Sequence, residues 1–245
     1  MAIRDFLLRV SSSERSIGTT SKFRVSYPNV QVLAKVVSIV VKHASFPNVF
    51  YNINTTNNEF KYTVNASPIQ TITVPEGQYT INDIMTYIEN VWGAGIDGTI
   101  TQDPKTYKIT FASDYAIRLV ESTMLKVLGV PPEGVLTSTP YTAPNVPQLQ
   151  GVQHVFINSK VLSKAINFID ANEKQEQSIV VMIPNDVPWG SVKHYETVHD
   201  DLDVINFPSE TSLQELDIKL VDADGNVLDL QGQELSLILK VYYMI

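Results

Sequence analysis

Residues that could bind a metal ion are concentrated in the segment KHYETVHDDLD, residues 193 to 203. The potential ligands are His194, Glu196, His199, Asp200, Asp201 and Asp203. Imidazole and carboxylate groups are ligands that zinc and iron accept in proteins. The spacing of His194 and His199, however, does not place both side chains on one face of a strand or a helix. A metal site here would need a bent loop, so we interpret the segment as a solvated acidic loop.

Two glycine-containing segments resemble ligand-binding loops. GAGIDG, residues 93 to 98, has the G-x-G-x-x-G spacing of dinucleotide sites, which must follow a strand and open a helix. Here it follows a predicted helix and precedes a predicted strand, which indicates a helix stop and a turn. DADGN, residues 222 to 226, resembles a calcium loop, but Gly225 is at the fourth position instead of the sixth. We interpret DADGN as a hairpin turn between two alternating strands.

Motifs of catalysis are missing from the sequence. WGSVK has Lys193 where a nucleophile elbow needs its second glycine, and neither H-E-x-x-H nor G-x-x-x-x-G-K-[ST] occurs. The chain contains no cysteine, so thiolate metal sites and disulfides are excluded. The sequence therefore predicts no catalytic, cofactor-binding or metal-binding residue and no cofactor, and we expect a protein that is not an enzyme.

The composition limits the partners. Lys and Arg number 18 against 26 Asp and Glu, which gives a net charge of −8 and a pI near 5.0. Because no cluster of basic residues is present to neutralise phosphates, direct binding to nucleic acid is not expected. Charged residues make up only 18% of the chain, which is typical of a protein that buries surface against partners. No apolar run is long enough for a membrane span, and MAIRDFLLRVSSSERS lacks the apolar core of a secretory signal, so we expect the protein to stay inside the cell.

The elements that would position any site are mostly strands. Segments rich in β-branched and aromatic residues, separated by Asn, Asp, Gly and Pro, are KFRVSYPNV, AKVVSIVVKHASF, EFKYTVN, IQTITV, GTITQD, TYKITFA, HVFIN, SIVVMI, LDIKLVD and LSLILKVYYM. Many strands and few helices predict an all-β sandwich or barrel.

Two short amphipathic helices are predicted in the connections. In TINDIMTYIENVWG, Thr80 suits the N-cap, Asp83 the first turn and Gly93 the C-terminal cap. The apolar face of this helix comprises Ile81, Ile84, Met85, Ile88, Val91 and Trp92. The second helix, STMLKVLG, has Ser122 as N-cap and Gly129 as its stop, with Met124, Leu125, Val127 and Leu128 as its apolar residues. The pattern of KVLSKAINFID, residues 160 to 170, is compatible with either a helix or a loop.

Two segments without a strong strand or helix pattern, the N-terminal 21 residues and a proline-rich stretch, indicate the domain organisation. The first 21 residues combine a short apolar patch with a Ser/Thr/Gly stretch, which suits either a flexible arm that orders on a neighbouring subunit or a disordered terminus. Prolines between about 130 and 150 exclude a helix or central strand and predict a long connection. We expect an N-terminal arm over 1–21 and one domain over 22–245.

The final segment, ELSLILKVYYMI, has the strongest strand signal of the chain. One face of the predicted strand carries Leu235, Leu237, Leu239, Val241, Tyr243 and Ile245. Its other face is also apolar near the end. We therefore predict a strand inside a sheet, paired on both sides, with the first face in the core.

Two blocks of the sequence resemble a known family. ITVPEGQYTINDIMTYIENVW followed by TQDPKTYKITFASDYAIRLVESTMLKVLGVPP is similar to a block of the minor capsid, or penton, proteins of virophages and polinton-type viruses. The residues that carry this resemblance are Val74, Pro75, Gly77, Tyr79, Leu128 and Gly129. The tail LDIKLVDADGNVLDLQGQELSLILKVYYMI is similar to the ending of the same family.

The resemblance implies a single jelly roll of two packed antiparallel sheets. It further implies a structural protein that forms homopentamers at the fivefold vertices of an icosahedral capsid, beside the major capsid protein. The expected location is the virion, after synthesis and assembly in the host cytoplasm. The family provides no catalytic residues to carry over.

Two alternatives remain open from the sequence. A jelly-roll module that binds carbohydrate or protein would need exposed aromatic side chains grouped in a concave site, for which Tyr141, Trp189 and Tyr195 are available. A cupin-like metal enzyme would have to use the His and Asp residues that follow Trp189.

Overall fold

The computed structural model describes residues 2–65, 67–92, 98–136, 140–162, 179–198 and 204–245. In chain order, the strands are β1 (Ile3–Ser11), β2 (Ile17–Gly18), β3 (Lys22–Ser26), β4 (Val36–Pro47), β5 (Glu59–Val64), β6 (Gln70–Thr73), β7 (Gly98–Gln102), β8 (Ile109–Ser113), β9 (Ile117–Val120), β10 (Gly134–Leu136), β11 (Tyr141–Thr142), β12 (His154–Asn158), β13 (Ile179–Pro184), β14 (Val192–Glu196), β15 (Ile205–Thr211), β16 (Glu215–Val221) and β17 (Ser236–Met244). Helix α1 spans Ile81–Trp92, and short 3-10 helices span Ser12–Glu14 and Gln31–Ala34. Each of the ten segments predicted as strands overlaps one of these strands.

The chain forms two compact units. The first comprises residues 1–50 and 152–245, and the second comprises residues 51–151. Each unit has its own cluster of buried side chains. The single domain expected over 22–245 stays a prediction.

The first unit contains two five-stranded antiparallel sheets. Sheet 1 has the order β1-β17-β4-β14, with β15 also paired to β4, and sheet 2 has the order β13-β12-β16-β3-β2. One hydrophobic core takes residues from both sheets, such as Ile39 and Leu239 from sheet 1 and Phe23 and Ile218 from sheet 2. Two antiparallel sheets packed around one core, with neighbours distant in sequence, form the jelly roll expected from the sequence.

Strand β17 lies inside sheet 1, as its sequence predicts, and pairs with β1 on one side and β4 on the other. Leu235, Leu237, Leu239 and Val241 are buried in the core. The alternation ends earlier than predicted: Tyr243 is half-buried and Ile245 is 58% exposed. The register against β4 shifts between Tyr242 and Tyr243, and this irregularity breaks the strict period of two.

The N-terminal segment is placed differently from the expected arm. Residues Ile3–Ser11 pair over their whole length with β17 of the same chain. Val10 is fully buried, and Phe6 and Leu8 pack against the same core. Because Phe6, Leu8 and Val10 recur with period two, the segment has one apolar face and forms a strand that completes sheet 1.

The second unit contains two further antiparallel sheets and α1. The sheet orders are β10-β9-β5-β6 and β11-β8-β7. In α1, the core contacts come from Ile84, Met85, Ile88 and Trp92, as predicted. Val91, which was expected on the same face, is 47% exposed because it lies toward the helix side that turns away from the core. Trp92 packs against Phe60, Tyr62 and Phe111.

The start of α1 is a reciprocal cap. The backbone N–H of Asp83 donates to Oγ1 of Thr80 (3.2 Å), and the backbone N–H of Thr80 donates to Oδ2 of Asp83 (2.8 Å). These bonds satisfy donors that a helix start leaves without partners. They confirm Thr80 as N-cap, whereas Gly93 lies outside the described residues.

The predicted second helix is a series of hydrogen-bonded turns. The N–H of Leu128 donates to the carbonyl of Met124 (3.1 Å), but the turns do not extend into an α-helix. The hydroxyl of Ser122 accepts from the backbone of Lys61 in β5 instead of capping a helix. The apolar residues Met124, Leu125, Val127 and Leu128 are nevertheless buried.

The Asp-Gly turn forms as predicted, with Gly225 at φ +82° and Asp222 accepting from the N–H groups of Asp224 and Asn226. The strands on either side do not form a hairpin, since β16 belongs to sheet 2 and β17 to sheet 1. The chain first returns beside β16, where the backbone N–H of Leu228 donates to the carbonyl of Leu220 (3.1 Å). It then crosses to the other sheet. The ambiguous segment KVLSKAINFID lies largely outside the described residues.

Candidate assembly surface

The residues considered for metal binding do not converge on a site. His194 and Glu196 belong to β14, which pairs with β4, so the segment interpreted as a loop begins as a strand. Their side chains are exposed on the face of sheet 1 opposite to Tyr195, which packs on the core. His199, Asp200, Asp201 and Asp203 lie outside the described residues. Within the described ranges, no group of three or more His, Cys, Asp or Glu side chains is arranged to hold a metal ion.

The aromatic residues considered for ligand binding have separate surroundings. Tyr195 contacts the core of the first unit, whereas Tyr141 packs on Phe111 in the core of the second. Trp189 is 49% exposed in the turn before β14. Tyr141 and Tyr195 therefore belong to the cores of two different compact units.

A cavity of about 900 Å³ opens along sheet 2. Its lining includes the side of sheet 2 that carries Arg24, Phe156, Asn158 and Lys219, opposite to the core residues of the same strands. The Oδ1 atom of Asn158 is buried and accepts no hydrogen bond within the described part of the chain. The cavity therefore combines an apolar wall, cationic and acidic side chains, and one unused acceptor.

Asp217, which also lines the cavity, has a structural role. Its carboxylate accepts hydrogen bonds from the hydroxyl of Ser159 (3.2 Å) and from the backbone N–H groups of Lys160 (3.0 Å) and Val161 (3.1 Å). These bonds fix the turn that follows β12. Because its oxygens are engaged in this way, Asp217 is not positioned as a general base.

The outer edge of β1 is an extended surface of unused backbone groups. The N–H of Ser12 donates to the carbonyl of Leu235 (2.9 Å), and the N–H of Ile245 donates to the carbonyl of Ala2 (3.1 Å). Hydrogen bonds alternate along an antiparallel pair, so the even-numbered residues of β1 bond to β17. The N–H and C=O groups of Ile3, Asp5 and Leu7 consequently point away from sheet 1, and within the described residues they have no partner.

One end of this edge is closed by Tyr27. Its hydroxyl donates to the carbonyl oxygen of Arg9 (2.8 Å), which is the next outward-facing group along β1. Burial, with a smaller contribution from the charge of Glu14, raises the pKa of Tyr27 to about 12. The hydroxyl is protonated at physiological pH, as an ordinary tyrosine is, and acts as the donor of this bond. The accessible edge extends from Ile3 to Leu7.

The opposite edge of sheet 1 is formed in part by β14. The N–H of Asn48 donates to the carbonyl of Ser191 (2.8 Å), and the N–H of Thr197 donates to the carbonyl of Lys42 (3.0 Å). By the same alternation, odd-numbered residues of β14 bond to β4. The backbone groups of Val192, His194 and Glu196 face outward, without a partner in the described part of the chain.

Large apolar side chains accompany these edges. Ile3 and Leu7 on β1 are 64% and 65% exposed, and Val192 on β14 is 49% exposed. The sequence patterns alone did not predict either edge as a site. The period-two spacing of Phe6, Leu8 and Val10 is typical of a strand with one apolar face. The charged residues Arg4, Asp5 and Arg9 in the same segment are unusual in a strand, so the segment was not predicted as one.

The architecture of two packed sheets and an α1-containing second unit is found in a solved structure. The crystal structure of the mavirus penton protein matches with a TM-score of 0.53, covering 98% of this chain and 100% of that chain at 10% sequence identity. The chain has the fold of the mavirus penton protein. No family model matches the chain, and no curated protein sequence is significantly similar to it.

This match confirms the all-β jelly-roll class and, for the fold, the resemblance to virophage penton proteins. The similarity extends over both compact units because it covers nearly the whole chain. Among the described residues, no helix is long and apolar enough to cross a bilayer.

Proposed function

We propose that this chain is a structural subunit of an icosahedral virus capsid, of the penton type, and that it has no catalytic role. The observation that carries the proposal is the fold shared with the mavirus penton protein over 98% of the chain. The two sequence blocks that resemble virophage and polinton-type penton proteins support it independently of the fold.

The assembled form that we propose is a homopentamer at the fivefold vertices. Its partners are other copies of itself and the neighbouring major capsid protein, and its location is the virion after assembly in the host cytoplasm. A closed ring needs head-to-tail contacts between two different surfaces of the subunit. The exposed edges of β1 and β14 are two such surfaces. The net charge of −8 supports contacts with protein and not with nucleic acid.

Native mass spectrometry of the purified protein tests this proposal. We expect a species of five times the 27.3 kDa chain, without a stoichiometric metal ion in an elemental analysis of the same sample. Negative-stain images of that fraction should show fivefold rings. A monomer that persists at all accessible concentrations, and a protein that is absent from virions, would contradict the proposal.

A second candidate is a jelly-roll module that binds a small molecule or a peptide, which the cavity along sheet 2 favours. The buried Oδ1 atom of Asn158 would accept a hydrogen bond from the ligand. A thermal-shift screen with sugars and short peptides distinguishes the candidates. A ligand that stabilises the wild type but not an Asn158→Leu variant, in a protein that stays monomeric, would favour the binding module.

A further inference from the structure

We propose that the cavity along sheet 2 binds the carboxyl-terminal end of a peptide whose last residue is apolar. The inference goes beyond the proposed capsid role, because it assigns a ligand class to a cavity within the first unit and holds whether or not the subunit forms rings. It is drawn from three features that the strand register places side by side: a pair of lysines, a buried acceptor and an apolar wall.

Two lysines face each other across neighbouring strands of sheet 2. Lys22 of β3 is the cross-strand partner of Lys219 of β16, and both line the cavity. The N–H of Leu220 donates to the carbonyl of Ser21 (2.8 Å), so the Ser21–Leu220 pair is hydrogen-bonded. The next pair along the strands, Lys22–Lys219, is therefore a pair without hydrogen bonds between its backbones. In such a pair the Cα atoms are about 4.5 Å apart and the side chains are closest.

This pair of like charges favours a bound anion. Like charges directly opposite each other destabilise a sheet, and neither lysine forms an ion pair with another described residue. The described lining contains four cationic and three acidic side chains, and one of the acidic ones, Asp217, is bonded to the turn after β12. The lining thus has one cation in excess, in a protein of net charge −8. A ligand group with a single negative charge between Lys22 and Lys219 removes their repulsion.

A hydrogen-bond acceptor lies beside the lysine pair. Asn158 of β12 is the cross-strand partner of Lys219 on the side away from Lys22. Its Oδ1 atom is buried and accepts no hydrogen bond from the described residues. A buried acceptor without a donor costs free energy, so a ligand that provides an N–H group is favoured here. A simple carboxylate such as acetate has no such donor.

The part of the cavity around Asn158 is apolar. Phe156 lies two positions before Asn158 on the same face of β12, and Ile179 of β13 is paired with Asn158. Both apolar side chains are half-buried and line the cavity. They offer contact area to an apolar side chain of the ligand.

The C-terminal residue of a peptide carries all three complementary groups on one Cα atom: a carboxylate, an amide N–H and a side chain. Neighbouring strands lie about 4.8 Å apart, so the step from the lysine pair to Asn158 suits the short distance between the carboxylate and the N–H of one residue. The side chain of that residue then reaches Phe156 and Ile179. Capture of a C-terminal carboxylate is a recurring mode of peptide recognition.

Isothermal titration calorimetry of the full chain with synthetic peptides tests the site. The probe is acetyl-Gly-Ala-Ile with a free C-terminal carboxylate, and the matched control is the same peptide as its C-terminal amide. We expect the amide to bind at least about tenfold more weakly, because it lacks the charge that the lysine pair recognises. A depsipeptide in which an ester oxygen replaces the last N–H, and acetyl-Gly-Ala-Gly, which lacks the apolar side chain, should also bind more weakly than the probe.

Protein variants separate binding from folding. Lys22→Gln and Lys219→Gln should each weaken binding of the free acid about tenfold, while the thermal midpoint of the free protein stays the same or rises because the like-charge contact is lost. Asn158→Leu should bind the free acid and the depsipeptide equally, since the acceptor for the N–H is gone. Lys105→Gln, at an exposed position of the second unit, is the control and should change neither binding nor the thermal midpoint.

The outcomes separate this inference from the proposed function. Equal affinities of the free acid and the amide, no binding of the free acid at about 1 mM, or unchanged binding by Lys219→Gln would overturn the peptide site. Inorganic phosphate that binds more tightly than the free acid would show a general anion site and would also overturn it. Rings of five that do not bind the peptide would leave the proposed function standing, whereas a persistent monomer that binds the free acid would support the peptide site and contradict the capsid role.

Discussion

Ser12 and Leu235, which are 223 positions apart in the chain, are joined by two hydrogen bonds. The N–H of Ser12 donates to the carbonyl of Leu235 (2.9 Å), and the N–H of Leu235 donates to the hydroxyl oxygen of Ser12 (3.0 Å). Both residues are fully buried. This clamp fixes the start of the β1–β17 pair and thereby the register of sheet 1.

The first prediction concerns this clamp. Ser12→Ala leaves the buried N–H of Leu235 without an acceptor, which should lower the free energy of unfolding by about 1–3 kcal/mol. Urea denaturation measures the change. Ser26→Ala, at an exposed position of β3, is the control and should change stability by less than about 0.5 kcal/mol. Equal stability of Ser12→Ala and the wild type would show that the clamp is dispensable.

The second prediction concerns the last strand. Deleting residues 239–245 removes the buried Leu239 and Val241, at about 1.5–3 kcal/mol each, and leaves β1 and β4 without part of their common neighbour. Against a total stability of about 5–15 kcal/mol, we expect no soluble folded protein. Deleting only Met244 and the exposed Ile245 should be tolerated. Circular dichroism and size-exclusion chromatography distinguish these results. A protein lacking residues 239–245 that stays soluble and melts cooperatively would show that the second half of β17 is dispensable.

The third prediction compares the faces of α1. Ile84→Ala or Ile88→Ala should cost about 2–4 kcal/mol because both side chains are fully buried. Asn82→Ala, on the exposed face, should be nearly silent. The sequence alone suggests that Glu89 is equally silent, but its carboxylate accepts a hydrogen bond from the backbone N–H of Ile100.

Glu89→Ala should therefore cost about 1.5–3 kcal/mol, the typical contribution of a hydrogen bond to a charged group. Urea melts of these variants give the order expected from the structure: Ile84 and Ile88 first, then Glu89, then Asn82. A Glu89→Ala variant as stable as Asn82→Ala would contradict the contact with β7.

The fourth prediction concerns pH. Hydrogen bonds from the hydroxyl and the N–H of Thr80 hold the pKa of Asp83 below its ordinary value of 3.8. A carboxylate whose pKa is lower in the folded state stabilises the fold above its unfolded pKa, and this stabilisation is lost as the pH falls through the folded pKa. Asp83→Ala should therefore lower the thermal midpoint at pH 7, and the difference from the wild type should shrink below the ordinary pKa of the carboxyl. Asn82→Ala, which has no titrating group, should show the same small difference at both pH values.

The fifth prediction concerns Gly129, which has φ +75°. A Cβ atom at this position would lie 2.3 Å from the carbonyl oxygen of Asn145, so Gly129→Ala meets both an unfavourable conformation and a backbone clash. Gly232 has the same φ of +75°, but a Cβ atom there would have no neighbouring atom within 4 Å, which makes Gly232→Ala the matched control. We expect about 1–2 kcal/mol of destabilisation for Gly232→Ala and a clearly larger loss for Gly129→Ala. Equal thermal midpoints of Gly129→Ala and Gly232→Ala would show that the backbone at Asn145 moves away from the new Cβ atom and relieves the clash.

Local patterns were sufficient for much of the fold. The alternation of Leu235, Leu237, Leu239 and Val241 predicts a core strand because period two is a local property of a half-buried strand. The Thr80–Asp83 pair likewise predicts the start of α1, since its hydrogen bonds join residues three positions apart.

Long-range partners explain what the sequence did not predict. Strand β1 has charges at Arg4, Asp5 and Arg9, and it becomes a strand because β17 pairs with it from the other end of the chain. His194 and Glu196 suggested a loop, yet their outward position on β14 allows polar side chains within a strand. In STMLKVLG, the hydroxyl of Ser122 bonds to β5 and not to a helix start. The candidate assembly edges depend on which backbone groups face outward, and only the pairing register determines this.

The neighbouring positions of Ala2 and Ile245 determine how the first unit responds to a mechanical load. Because Ile3 pairs with Met244, a pulling force applied to the two ends acts at one end of the β1–β17 ladder and across its hydrogen bonds. The bonds then break one after another, as in the opening of a zipper, instead of sharing the load in shear. In a single-molecule pulling experiment, β1 should peel away at low force and in small steps, with the clamp at Ser12 and Leu235 as the last point of resistance in that ladder.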